Sequence, residues 1–299
     1  MTTHSGVAVV GSANMDILFT VDRVPSPGET LLAESVALHP GGKGLNQAVA
    51  AARAGAVTTF VGALGRDSHG NQLAAVLTED GIVDTLVRRV DEATGQAFIV
   101  VDGRGENTII VASGANSSVV ALTDDDRAAI AASSVLLLQL ELPVGVVLAA
   151  AKFARSVGTT VMLNAAPAQP LAPELLESLD YLIVNEHEAC LIAGSDDLSV
   201  ASASLASLVG RVIVTLGSQG SALFDGGIEV GMVPALKVTA VDTTGAGDTF
   251  CGAFAAAIAE GRELAEAATF GTTAAALSVQ RVGAVPSIPS RESIDAVLE

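Results

Sequence analysis

Apolar residues fall into short runs along most of the chain, with stretches of helical period between them. Val7–Val10 is β-branched and ends at Gly11, the mark of a buried strand. Ile17–Val24 and Leu31–Leu38 alternate more clearly across the turn Pro25-Ser26-Pro27-Gly28, and they read as a hairpin with one exposed face. Leu45–Ala54 is Ala-rich and helical, closing at Gly55. Val57–Gly62 reads as a strand, and Ser68–Thr78 as a helix that Gly81 ends. A second hairpin runs from Ala97–Val101 to Thr108–Val111.

Beyond it the alternation is regular. Thr123 is a helix N-cap, followed by Asp124, Asp125 and Asp126 where the helix dipole favours acids. Strand Val135–Leu138, helix Val144–Ser156, strand Thr160–Leu163, a short helix near Glu174 and strand Tyr181–Val184 follow. A helix starts at Glu186, then come strand Val212–Thr215 and short strands near Ala222 and Val230. The last section reads as strand Val238–Val241, helices Asp248–Glu260 and Leu264–Val279, and a terminal helix from Ser290. Strands alternating with helices of this length mean βαβ units. The expected fold is therefore α/β: a Rossmann-like three-layer α/β/α arrangement with a mostly parallel central sheet. Neither hairpin fits such a sheet, so they are expected to form a small β-sheet lid, at about residues 15–40 and 95–113. No linker or repeat divides the chain, so one domain over residues 1–299 is expected.

Composition narrows the function classes. The net charge is −18, which argues against a surface for nucleic acid or anionic membranes, since both select basic patches. The longest apolar runs are too short to cross a bilayer, and the N-terminus has no basic leader. A cytoplasmic protein is expected. Cys190 and Cys251 form no CxxC and read as buried free thiols in a reducing compartment.

Chemistry concentrates at Asp242-Thr243-Thr244-Gly245-Ala246-Gly247-Asp248. A Gly-rich loop entering a helix presents backbone N–H groups to an anion. An acid there would repel phosphate, unless Asp248 takes a proton from a hydroxyl that attacks the phosphorus. On residues alone Asp248 is also readable as a plain N-cap. Gly42-Lys43 is followed by Gly44, so there is no Walker A loop, and Gly11–Asp16 lacks the dinucleotide fingerprint.

GSANMD at Gly11–Asp16, GGKGLNQA at Gly41–Ala48, QLE at Gln139–Glu141 and NEHEA at Asn185–Ala189 continue into TLGSQG at Thr215–Gly220, DTTGAGDTF at Asp242–Phe250 and RVGAVPS at Arg281–Ser287. In this order the chain resembles the ribokinase branch of the PfkB-type carbohydrate kinases. The resemblance implies ATP-dependent phosphorylation of D-ribose at O5, or of another pentose, deoxyribose or a nucleoside, with Asp248 as general base. It implies an anion hole at Gly245, Ala246 and Gly247, and sugar contacts from Asn14, Asp16, Gly42, Lys43, Asn46, Glu141 and Asp248. It places ATP against Asn185, Thr215, Gly217, Ser218, Gly220 and Gly247, with Mg²⁺ held through water by Glu188. It implies a K⁺ site from Asp242, Thr244, Ser278, Arg281, Gly283 and Ser287, and a homodimer formed through the lid. Thr272 matches a position beside the adenine where ribokinases often carry Asn or His. Read on their own, Asn14 and Asp16 also suit a turn, Lys43 a surface lysine, and Asn185 with Glu188 a helix cap.

Overall fold

The computed structural model describes residues 6–299. In chain order it gives β1 (Gly6–Val10), β2 (Asn14–Thr20), β3 (Ser35–Gly41), α1 (Lys43–Arg53), β4 (Val57–Gly65), α2 (Ser68–Glu79), β5 (Val87–Val90), β6 (Gly95–Val101) and β7 (Asn107–Ala112). Then come α3 (Asp124–Ala132), β8 (Val135–Leu138), α4 (Val144–Val157), β9 (Thr160–Asn164), α5 (Pro173–Leu176), β10 (Tyr181–Asn185), α6 (Glu186–Ala193) and α7 (Leu198–Leu208). The chain ends with β11 (Arg211–Thr215), β12 (Ser221–Asp225), β13 (Ile228–Val233), α8 (Ala246–Ala259), α9 (Leu264–Ser278) and α10 (Arg291–Leu298).

Nine strands form the main sheet in the order β13-β12-β11-β10-β9-β8-β1-β4-β5. From β5 to β11 every pairing is parallel, and β12 and β13 add an antiparallel edge. Strand residues alternate between two cores, as the pleat requires. Val7, Val9 and Leu137 pack with α1, α8 and α9, while Ala8, Val10, Leu136 and Leu138 pack with α4 and α7. These are the three expected layers. The chain leaves β1 toward β4 on one side and later returns to build β8–β11 on the other. That reversal beside β1 is where an open α/β sheet binds its ligand, at the carboxyl ends of the strands.

The two expected hairpins join into one separate sheet, β3-β2-β6-β7. The join is a parallel pairing of β2 with β6, while β2–β3 and β6–β7 are antiparallel. One face, with Leu18, Ile99 and Val101, covers the cavity described below.

Three local readings differ from the structure. Val238–Val241 is not a strand. The amides of Val241 and Asp242 both donate to the carbonyl of Val279, at 2.7 and 3.1 Å, which ties the segment to the end of α9 instead of a sheet edge. β5 went unread because it is short and half charged, and α7 because its alternating Ser masks a helical period. Cys251 is buried as expected, but Cys190 is only partly so.

α1 and α8 cross at Gly252. A Cβ there would lie 2.4 Å from the Gln47 carbonyl oxygen and 2.5 Å from the Ala50 Cβ, so only glycine lets the helices meet. Gly252→Ala is expected to cost about 1–3 kcal/mol of stability by overpacking. Urea titration would show a lower midpoint. An unchanged midpoint would mean that the crossing yields freely.

Candidate active site

The loop from Asp242 to Gly245 stands between two cavities. The larger, about 910 Å³, is lined by Asn14, Asp16, Gly42, Lys43, Asn46 and Glu141, with the lid above it. The smaller, about 420 Å³, is lined by Asn185, Glu188, Thr215, Gly217, Ala246 and Gly247. Thr243, Gly245, Asp248 and Lys43 line both. The residues expected to hold the sugar thus face one chamber and most of those expected to hold the nucleotide face the other. Ser218 and Gly220 line neither chamber. Gly220 instead closes a turn, its carbonyl accepting from the Leu216 amide at 2.7 Å. Thr272 also lies outside both walls, buried in α9, and its hydroxyl has no partner among the described residues.

Asp248 sits in the first turn of α8 and is 7% exposed. Its carboxylate accepts from Asn46 Nδ2 at 3.0 Å and from Gln47 Nε2 at 2.8 Å. Gly245 caps the helix in the left-handed region at φ 73°, a conformation that glycine adopts without strain. The first amides of a helix lack intrahelical acceptors. That of Ala246 donates to the Thr243 carbonyl at 3.2 Å, in the turn that leads into α8.

Ser12, Asn14 and the Lys43 amide all converge on one oxygen of Glu141, at 2.5, 3.5 and 3.1 Å. Asn116 donates to Asn14 Oδ1 at 2.8 Å and clamps it from behind. Gly41 and Gly42 do more than admit a ligand: a Cβ on Gly41 would lie 2.1 Å from the Asp16 carboxylate, and one on Gly42 would lie 2.6 Å from the Asn14 amide. Ser12, Gln47, Asn116, Gln139 and Asn164 escaped sequence reading as site residues. Gln47 and Gln139 lay within quoted motifs, but buried amides have no spacing signature.

Asn185 and Glu188 form a reciprocal capping box at the start of α6. Both still line the smaller cavity, so the cap and the site are one structure. Asp242 accepts from the Thr244 amide and hydroxyl at 2.9 and 2.6 Å and from the Gly283 amide at 2.8 Å. That last bond joins the Gly-rich loop to the segment that follows α9. Ser278 and Ser287 are buried within that same region, and the Ser287 hydroxyl donates to the Ala284 carbonyl at 2.8 Å.

A profile of the pfkB family of carbohydrate kinases matches residues 5–291. The chain belongs to that family. The ribokinase of Haemophilus influenzae is 41% identical over 98% of both chains. The structure of Arabidopsis thaliana ribokinase complexed with ribose and ATP superposes with a TM-score of 0.90, at 40% identity over 98% of each chain. Thermotoga maritima ribokinase gives a TM-score of 0.90 at 41% identity, over 98% of this chain and 99% of that one. As a member of the family the protein is a phosphotransferase acting on a sugar hydroxyl.

In this kinase the charges of the site act on one another. Burial pushes the Asp16 carboxyl up to about 7, and Glu141 and Asp248 add to the effect against Lys43. The Asp248 carboxylate holds the Lys43 ammonium above its ordinary value in spite of burial. Burial also raises Glu188 and lifts the Cys251 thiol well up. For Asp242 burial acts upward, but the bonds from Thr244 and Gly283 outweigh it and hold the carboxyl below its ordinary value.

Between pH 3.8 and about 7 the native protein keeps a proton on Asp16 that the unfolded chain has lost. The native state therefore loses stability as pH rises through that window. Asp16→Asn removes this loss. The sugar-free variant is expected to exceed the parent by roughly 1–3 kcal/mol at pH 8, discounted for partial exposure, with the gap closing toward pH 4. Unfolding at both pH values would measure it, and a gap independent of pH would contradict the assignment.

Proposed function

We propose that the protein is a ribokinase, transferring the γ-phosphoryl group of ATP to O5 of D-ribose with Asp248 as general base. What carries this reading is the position of Asp248, at the junction of the two cavities and in the first turn of a helix that a glycine-rich loop enters. The larger chamber offers carboxylates and amides that suit vicinal hydroxyls, with Asp16, Asn14 and Glu141 around it. A hydroxyl beside Asp248 loses its proton to the carboxylate as its oxygen bonds to phosphorus. The bond from phosphorus to the bridging oxygen of ADP breaks, and ADP departs. The Gly245 and Gly247 region of the loop takes up charge on the transferring group, and Lys43 stands at the same boundary.

Glu188 and Asn185 present oxygen donors on the nucleotide side, the ligand type that Mg²⁺ selects, so the residues fit that ion. When bound, Mg²⁺ neutralises charge on the phosphate oxygens. Asp242 and the carbonyl-rich segment Arg281–Gly283, with Ser278 and Ser287, form an all-oxygen set with a single carboxylate. This suits K⁺, which would brace the loop that shapes the anion hole.

The lid has a second apolar face. Ile17, Phe19, Val36, Leu38, Phe98 and Ile110 alternate away from the cavity, with Val36 57%, Leu38 49% and Ile110 67% exposed. An apolar face of this kind needs a cover, and a second copy of the chain supplies one. No helix among the described residues is long and apolar enough to cross a membrane. The proposal includes a homodimer in the cytoplasm, with no nucleic-acid or membrane partner.

Asp248→Asn is expected to retain ribose binding by calorimetry and to lose kcat by about 10³-fold or more. ADP release across ribose, deoxyribose, other pentoses and adenosine, with and without K⁺, measures substrate and ion preference. Near-parental turnover in Asp248→Asn, or a preference for adenosine, would overturn the assignment. Separately, Leu38→Asp with Ile110→Asp is expected to convert a dimer to monomers in sedimentation. A parental dimer in that variant would exclude the lid as the interface.

A further inference from the structure

We propose that Gln47, held from behind by Gln139 and Asn164, is a positioning residue that fixes the orientation of the Asp248 carboxylate. It deepens the reading of Asp248 as the base and rests on it. The polarity of this buried network starts at a group that has no choice. The Ile183 carbonyl in β10 can only accept, and Asn164 Nδ2 donates to it at 3.3 Å. That sets Asn164 Oδ1 toward α1, where it accepts from Gln47 Nε2 at 3.0 Å. The Gln47 amide must therefore present its NH₂ group, and the same nitrogen donates to Asp248 Oδ1 at 2.8 Å. On its other side Gln47 Oε1 accepts from Gln139 Nε2 at 2.6 Å.

A flipped Gln47 would set its carbonyl oxygen against two acceptors at once, Asn164 Oδ1 and the Asp248 carboxylate. Gln47 is 0% and Gln139 1% exposed, so no bulk water is at hand to relieve such a contact. The flip is closed off, and Asp248 Oδ1 is held by a donor it cannot exchange. The Oδ2 oxygen, which accepts from Asn46 at 3.0 Å, is left to meet the acceptor hydroxyl. Neither Gln47 nor Gln139 lines either cavity. They touch neither sugar nor nucleotide and act only through Asp248. A carboxylate pinned at one oxygen does not rotate out of line with the attacking hydroxyl, and a small misplacement of this kind is costly to rate.

The test uses the full chain with ATP and ribose, and reads kcat against pH for the parent, Gln47→Glu and Gln139→Leu. Gln47→Glu sets a second carboxylate about 3 Å from Asp248, so the two titrate as a pair. The acid limb of kcat is expected to move up by about one pH unit or more, while the ribose KM stays within about threefold. Gln139→Leu keeps the volume but removes the donor to Gln47 Oε1, which leaves that oxygen buried without a partner and loosens the support behind Gln47, and kcat is expected to fall about tenfold or more at unchanged ribose affinity. Thermal unfolding and ribose calorimetry check that each variant is folded. Parental kcat and an unmoved acid limb in folded variants overturn the proposal, as does a loss of kcat that only tracks lost ribose binding. Asp248→Asn in the same series separates the two readings. If it turns over with the parental profile, Asp248 is not the base. If it is inactive while Gln47→Glu leaves the acid limb in place, the positioning role alone fails.

Discussion

A carboxylate buried at the head of a helix must be given donors, and the structure around Asp248 follows from that requirement. Its partners, Asn46 and Gln47, lie on α1, some two hundred residues earlier in sequence. They reach it only because α1 and α8 approach to the distance that Gly252 permits. That same approach brings Lys43, the first residue of α1, beside the loop before α8. The walls of the two cavities therefore meet at one side chain because two helices pack closely, and not because they are near in sequence.

The sheet supplies the rest of the frame. Ser12 and Asn14 follow β1, Glu141 follows β8, and Asn164, Asn185 and Thr215 end β9, β10 and β11. Every one stands at a carboxyl end, on the side where the topology reverses and opens a crevice. Parallel strands buried on both faces cannot host polar side chains along their length without cost. The polar residues of this sheet are therefore gathered at its end, and the lid closes over that row.

Much of this was legible in the sequence, for identifiable reasons. Val7–Val10 and Tyr181–Val184 are β-branched or apolar runs bounded by turn residues, and they sit as strands where the pattern put them. The sugar-side expectations Asn14, Asp16, Lys43, Asn46 and Glu141 all line one chamber, because the start of β2, the first turn of α1 and the turn after β8 converge on the carboxyl end of β1. What was hidden depended on tertiary contact. Val238–Val241 has strand composition, but the Val279 carbonyl captures the amides of Val241 and Asp242 at its end. The bond from the Ala246 amide to the Thr243 carbonyl is likewise a contact that the spacing of glycines does not announce. Gln47 and Gln139 lie 92 residues apart, and although each stands in a motif, nothing local shows that their amides bond to each other.

The acidic character of the chain then takes on a different sense. With a net charge of −18 it would seem ill suited to a substrate such as ATP. Among the described residues Lys43 is the one lysine or arginine lining either cavity, and it stands at the boundary of the two. Around it are Asp16, Glu141, Glu188 and Asp248, so the proposed reaction cannot rely on a permanent excess of positive charge. It calls instead on backbone amides at a helix start, which carry no counter-charge that an acid nearby would cancel. A base and an anion hole can then occupy one turn of helix. A site built from lysines and arginines would pair the carboxylate with a cation and occupy the lone pairs that the attacking hydroxyl needs.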